Sequence, residues 1–296
     1  MPAEHLTEQT LAGRVVGGAA RHLRDALTSS KYLEGASTVT AKKGDDHLKH
    51  RIDEHAEEAI FALLRADGYQ GTVFSEEAGA QSWGDDPGLF VTDPYCNTTL
   101  TFHGVRDSAV TGFEIGPTGR LVSAAIADVQ LWRTLTFGDA HGVSLAWEDG
   151  GRSFPSPSGR YSLDQALVVM SLLKRKRRAY LRSTIARECG TLLTVDGGIV
   201  ALRICAGEVD AFVDHIFGQP AYEAMPYRLV ELTGGVVTDG QGRPISWEDI
   251  ADELRAGVIR RQSLVVANST SLHEQIMERI SADGIAEDVD SLQCPW

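Results

Sequence analysis

Apolar side chains recur four apart from about Thr7 to Leu27, at Leu11, Val15, Ala19, Leu23 and Leu27, and that spacing predicts a helix with one buried stripe. A second helical period runs from about His47 to Leu64. Ile52, Ala56, Ala59, Ile60 and Leu63 form its inward face, Asp53, Glu54, Glu57 and Glu58 lie toward water, and Gly68 stops it. The stretch ASTVTAKKGDDHLKHRID between these apolar faces reads as a polar loop carrying Lys42, Lys43, Asp45 and Asp46. Strand formers then take over. Thr72 to Ser75 is a short strand leading into Glu76 and Glu77, and Phe90, Val91 and Thr92 form another that Pro94 ends. From Ala109 to Phe137 strand-like runs alternate with turns, Gly116-Pro117-Thr118-Gly119 joining two antiparallel strands, and HGVSLAWEDG continues the sheet.

The segment SPSGRYSLDQALVV reads as a linker, a helix opening at Ser162-Leu163-Asp164 and a fresh strand, which places a subdomain boundary between 1–160 and 161–296. Beyond it come a run of five basic residues, Lys174 to Arg178, which reads as a solvated helix face or as a local anion or partner contact, and ALRICAGEVDAFVDHI, a helix followed by a strand. SLVVANSTSLHEQI closes the chain as a strand and a helix, with Ser269 or Ser271 as its cap.

Composition narrows the function classes. The 296 residues, 43% hydrophobic, are enough for one large core or two smaller ones. A net charge of −13 disfavours general binding to nucleic acid or to anionic membrane, so any anion recognition must be local. No apolar run is long enough to span a bilayer, and MPAEHLTEQTLAG lacks the basic-then-apolar order of a secretory signal, so a cytoplasmic location is expected. Cys96, Cys189, Cys205 and Cys294 are scattered without zinc-type pairing and are expected as free thiols.

The chemistry concentrates in VTDPYCNTTLTFHG, from Val91 to Gly104, a strand running into a tight turn in which Asn97 tolerates left-handed backbone. This stretch resembles the metal-binding loop of the inositol monophosphatase superfamily, Asp-Pro-x-Asp-Gly-Thr-Thr followed by Asn-Phe-Val-His-Gly. Asp93, Pro94, Thr98, Thr99, His103 and Gly104 match it; Cys96 stands in place of its second Asp and Asn97 in place of its Gly. The adjacent pair Glu76 and Glu77 matches the family's glutamate pair after a strand, and PAYEAMPYRLVELTGG matches its Pro-Trp-Asp-x-Ala helix and Gly-Gly corner, with Tyr222 at the Asp position and Glu223 one residue off.

The resemblance implies an α/β (α+β layered) fold, an α-β-α-β-α sandwich of two subdomains. It also implies a phosphatase of small phosphorylated metabolites such as inositol or sugar phosphates. Glu76, Asp93 and the backbone carbonyl of Tyr95 would hold a first Mg2+ or Mn2+ ion, with Thr98 positioning water. Asn97, Thr98, Tyr222 and Glu223 would face substrate, Lys43 and Asp45 would reach in from a mobile loop, and a homodimer is the implied assembly. A second ion would need carboxylates at positions 96 and 222. A thiol is a soft ligand and a phenol is normally protonated, so at most one tightly bound ion is expected, with two-metal turnover reduced accordingly. Two alternatives stand beside this: different chemistry in the same pocket, with Cys96 as nucleophile or Tyr222 and His103 as acid or base groups, or a non-catalytic binding protein.

Overall fold

A computed structural model of the chain describes residues 10–28, 35–43, 47–105, 107–171 and 183–283. Asp45, Asp46, Cys294 and the basic run Lys174 to Arg178 lie outside the described residues. The described residues divide into two compact units, one made of those from 10 to 154 with Glu248–Val258, the other of those from 155 to 247 with 259–283.

The first unit contains α1 (Leu11–Thr28), β1 (Val39–Lys43), β2 (His47–His50), α2 (Arg51–Ala66), β3 (Thr72–Ser75), β4 (Gly79–Ser82), β5 (Leu89–Thr92), α3 (Thr98–Phe102), β6 (Ala109–Ile115), β7 (Leu121–Asp128), β8 (Arg133–Gly138), β9 (Gly142–Trp147) and β10 (Arg152–Ser153). Eight of its strands form one sheet in the order β10-β9-β8-β7-β6-β5-β3-β4, in which only the β3/β5 pair is parallel. The stripes expected on the two long helices meet: Val15, Ala19 and Leu23 of α1 share one core with Ile52, Ala56 and Ile60 of α2 and with Phe90, Val110 and Ala125 of the sheet. Full burial of each Leu, Ile or Val contributes about 1.5–3 kcal/mol, which fixes the helices on the sheet. Gly112 lets α1 approach, since a Cβ there would lie 2.6 Å from Val16 Cγ2 and 2.8 Å from Phe90 Cζ.

Two expectations are corrected here. The segment taken as a polar loop is a β1/β2 hairpin with Val39 opposite His50, so α2 starts at Arg51 rather than near His47. Asp53 and Glu57, assigned to the solvent face of that helix, are 4% and 9% exposed. They flank the apolar stripe one position from Ile52 and Ala56, and the sheet edge covers that flank.

The second unit contains β11 (Leu167–Met170), α4 (Thr184–Glu188), β12 (Thr191–Leu193), α5 (Ile199–Cys205), β13 (Ala211–Pro220), α6 (Ala221–Ala224), a 3-10 turn at Met225–Tyr227, α7 (Arg228–Leu232), β14 (Val236–Thr238), β15 (Arg261–Ala267) and α9 (Thr270–Asp283); α8 (Trp247–Arg255), which lies between β14 and β15 in the chain, belongs to the first unit from Glu248 on. Its mixed sheet runs β12-β11-β13-β15-β14. Strand alternation sorts the faces. Val168, Met170, Ala211, Val213, Val265 and Ala267 pack with Leu272, Ile276 and Ile280 of α9, while Phe212 turns the other way and stacks on Tyr227 at 4.9 Å. Ser269 caps α9, its Oγ accepting from Leu272 N–H at 3.4 Å. Ser162-Leu163-Asp164, expected to open a helix, is instead a turn closed by Gln165 N–H to Ser162 O at 3.2 Å, because the strand at Leu167 begins too soon for a helix to propagate. In both units helices layer on sheets, an α+β arrangement, and no described helix is long and apolar enough to cross a membrane.

Candidate active site

The parallel pairing of β3 with β5 sets the site. Ser75 lies level with Thr92, and Glu76 N–H continues the ladder to Thr92 O at 3.2 Å, so Glu76 and Asp93 leave the carboxyl ends of neighbouring strands side by side. The carboxyl edge of parallel strands is where α/β sheets open a crevice. On the other side of β5, Thr111 of β6 clamps the turn. It receives Thr92 Oγ1 on its carbonyl at 2.6 Å and Asp93 N–H on its hydroxyl at 3.1 Å, and its own N–H reaches Asp93 O at 3.0 Å. Asp93 is 3% exposed, and its Oδ1 accepts Tyr95 N–H at 3.2 Å, folding the loop back over the strand end.

Cys96 follows, 4% exposed, with its N–H donated to Ala109 O at 2.8 Å. That burial beside a paired backbone matches a small packed side chain. Asn97 has φ +64, the left-handed conformation expected of it, and the chain then enters α3 at Thr98. Asn97→Gly is therefore expected to be neutral or slightly stabilising and Asn97→Ala to cost about 1 kcal/mol, because Ala loses the local hydrogen bonding that lets Asn sit there. Denaturant unfolding of the two variants checks the order.

Thr98 joins the loop to α2. Its Oγ1 lies 2.6 Å from Asp53 Oδ1 and 2.9 Å from the Tyr95 carbonyl. The hydroxyl has one hydrogen for two acceptors, and the carboxylate offers the stronger, charge-assisted bond. The other Asp53 oxygen accepts His50 N–H at 2.7 Å at the start of α2. Burial pushes the Asp53 carboxyl up to about 6; the bonds from Thr98 and His50 oppose this, and the charges of Glu77 and Glu76 add to it.

Behind this pair, Ser75 Oγ donates to Glu57 Oε1 at 2.5 Å and accepts Glu77 N–H at 3.3 Å. Tyr95 is fixed at its far end, where its phenol oxygen meets Ser108 Oγ at 3.0 Å and Thr101 Oγ1 at 3.2 Å, and burial raises its pKa.

The structure thus brings Glu76, Glu77, Asp93, Tyr95, Cys96, Asn97 and Thr98 to one sheet edge of the first unit. His103 lies in an exposed turn after α3, and Lys43 ends β1. Tyr222, 8% exposed, and half-buried Glu223 belong to α6 of the second unit. Asp53 is the member that sequence reasoning missed. Its signal was the i, i+4 pair Asp53 and Glu57 on one flank of the apolar stripe, readable once the helix start is moved to Arg51.

Hard oxygen donors stand at this edge. Glu76 and Asp93 supply carboxylate oxygens and Tyr95 a carbonyl, the ligand chemistry of Mg2+ or Mn2+. Among the described residues no group of three or more His, Cys, Asp and Glu side chains is arranged to hold a metal.

Layered helices and sheets in this arrangement match solved structures, and the comparison identifies the fold as that of inositol monophosphatase structures. The extragenic suppressor protein SuhB of Bartonella henselae superposes with a TM-score of 0.71 at 19% identity, covering 91% of this chain and 96% of its own. Inositol monophosphatase from Anabaena (Nostoc) gives 0.68 at 18% identity, over 92% and 94% of the two chains. A staphylococcal IMPase complexed with products gives 0.70 at 13%, over 89% and 92%. At these identities the likeness is one of fold. Neither a protein-family model nor a curated protein sequence matches the chain.

Proposed function

We propose that this protein is a single-ion phosphatase of a small phosphorylated metabolite, an inositol or sugar phosphate, with turnover well below that of a two-ion site. The observation that carries the reading is the Thr98 hydroxyl held between buried Asp53 and the Tyr95 carbonyl, beside the strand ends that carry Glu76 and Asp93. Glu76, Asp93 and the Tyr95 carbonyl would hold one Mg2+ or Mn2+, which when bound supplies positive charge to phosphate oxygens and lowers the pKa of a water.

The chain's own residues do the rest. Thr98, its hydrogen turned to Asp53, presents lone pairs that accept a hydrogen bond from water and aim its oxygen. Asp53, with its pKa near 6, takes the proton through Thr98 and is ionised at neutral pH, as a general base must be. The sequence pattern that the chain resembles carries a second Asp where Cys96 stands, and a thiol is a poor donor for a hard ion; if a second ion is worth about 4 kcal/mol in the transition state, turnover without it falls on the order of a thousandfold. A homodimer, the assembly implied by the resemblance, completes the proposal.

A panel of inositol and sugar phosphates, assayed with Mg2+ or Mn2+ and again with chelator, tests it. Weak, ion-dependent phosphate release is the expected result. Release that persists undiminished in chelator, or that is absent from every ester while unphosphorylated metabolites are turned over, would sink the proposal.

A further inference from the structure

Lys49 carries an ammonium group into the carboxylate edge of the first unit. It stands on β2 with 14% of its side chain exposed, and its Nζ lies 3.2 Å from Glu77 Oε2 and 3.8 Å from Glu57 Oε2. The Glu77 side chain is 3% exposed and that of Glu57 12%. Carboxylates at such depth are costly unless a positive charge compensates them. The Ser75 hydroxyl donates to the Glu57 carboxylate and accepts the Glu77 backbone N–H, which holds both residues at this edge, and the charges of Glu77 and Glu76 are near enough to Asp53 to raise its pKa. Burial pulls the Lys49 ammonium pKa down, but the charge and hydrogen bond of Glu77 and the charge of Glu57 outweigh it, so Lys49 stays protonated at neutral pH.

We propose that Lys49 is a built-in counter-ion. Its ammonium occupies the position beside Glu77 and Glu57 to which a divalent cation would otherwise be drawn, so this edge balances its charge covalently and holds metal weakly on this side of Glu76. An ammonium is a compact point charge with three donors, suited to two carboxylates approached from one side. It also repels a dication a few ångströms away, a term that falls slowly with distance where water is scarce.

The inference is independent of the phosphatase reading, because its readout is cation binding and stability rather than turnover. Mg2+ and Mn2+ alone would be titrated by calorimetry into the full chain and into Lys49→Gln, Lys49→Arg and Lys49→Gln/Glu77→Gln, with thermal unfolding in chelator and in millimolar ion. Lys49→Gln is expected to bind Mn2+ about tenfold tighter or more than the unaltered chain, the size of effect a unit charge has at this range. It should also unfold at lower temperature in chelator and recover when ion is added. Lys49→Arg, which keeps the charge, and the double variant, which removes both charges, should show the unaltered chain's ion response. A Lys49→Gln chain that folds only with Mn2+ present supports the inference equally. Ion affinity and stoichiometry unchanged by Lys49→Gln, or a Lys49→Gln chain that stays unfolded with Mn2+ present, overturns it.

Discussion

Asp53→Asn lowers turnover of phosphate esters by about 10²–10⁴, the range contributed by one positioned general base. The substitution keeps the shape that accepts the Thr98 hydroxyl but removes the charge and basicity that draw a proton through it. Thr98→Val removes the hydroxyl itself, which sits 2.6 Å from Asp53 Oδ1. The two side chains act as one relay, so the double variant is expected to be little worse than either single one, a strongly non-additive cycle. The pH profile gives a second readout. The base must be ionised, so kcat/KM of the unaltered chain should fall as acid protonates Asp53, and this limb should vanish in Asp53→Asn. Rates that stay at the unaltered level in Asp53→Asn, or losses that simply multiply in the double variant, would remove Asp53 from the relay.

The second large effect is on stability in acid, and it comes from His215 on β13. The side chain is buried, 7% exposed, and burial lowers its pKa from 6.5 to about 4 even though the charges of Asp214 on the same strand and Asp283 at the end of α9 pull the other way. The folded-state pKa is depressed, so the unfolded chain takes up a proton that the folded chain refuses. The contribution is fully present above pH 6.5 and is lost as pH falls through the window to about 4. A shift of that width corresponds to about 3 kcal/mol. Unfolding free energies of the unaltered chain and of His215→Gln, measured by denaturant across this range, should therefore converge as pH falls and stay a constant distance apart above it. Parallel curves down to pH 4 would show that His215 does not carry the acid limb.

How much of this was legible in the sequence follows from the range of the interactions. Periodicity is local, and where neighbours within a turn or a strand decide the outcome the reading was sufficient. The Leu11 to Leu27 stripe became the buried face of α1, Thr72 to Ser75 and Phe90 to Thr92 became the parallel strands that release Glu76 and Asp93, and Asn97 took the left-handed backbone its turn demanded. The likeness of VTDPYCNTTLTFHG to a known metal-binding loop pointed to the fold now seen in the solved neighbours.

What the sequence could not decide is which charged residues the fold turns inward. Asp53 and Glu57 read as solvent-facing because the helix wheel places them off the apolar stripe, yet both are buried. Asp53 meets Thr98, 45 residues later, and Glu57 meets Ser75, 18 residues later. A charge is buried only when a partner from elsewhere in the chain compensates its desolvation. The β1/β2 hairpin was hidden for the same reason, since its polar strands carry no alternation to announce them, and that hairpin is what delivers Lys49 to Glu77. The sequence by itself determined the apolar stripes of the two long helices, the strand ends and the acidic turn, because hydrophobic period and backbone preference act between near neighbours. Only the tertiary structure decided that Asp53, Glu57, Glu77 and Lys49 form one charged cluster behind that turn, because their pairing is a balance of desolvation against Coulomb attraction that exists only after the sheet has closed over them.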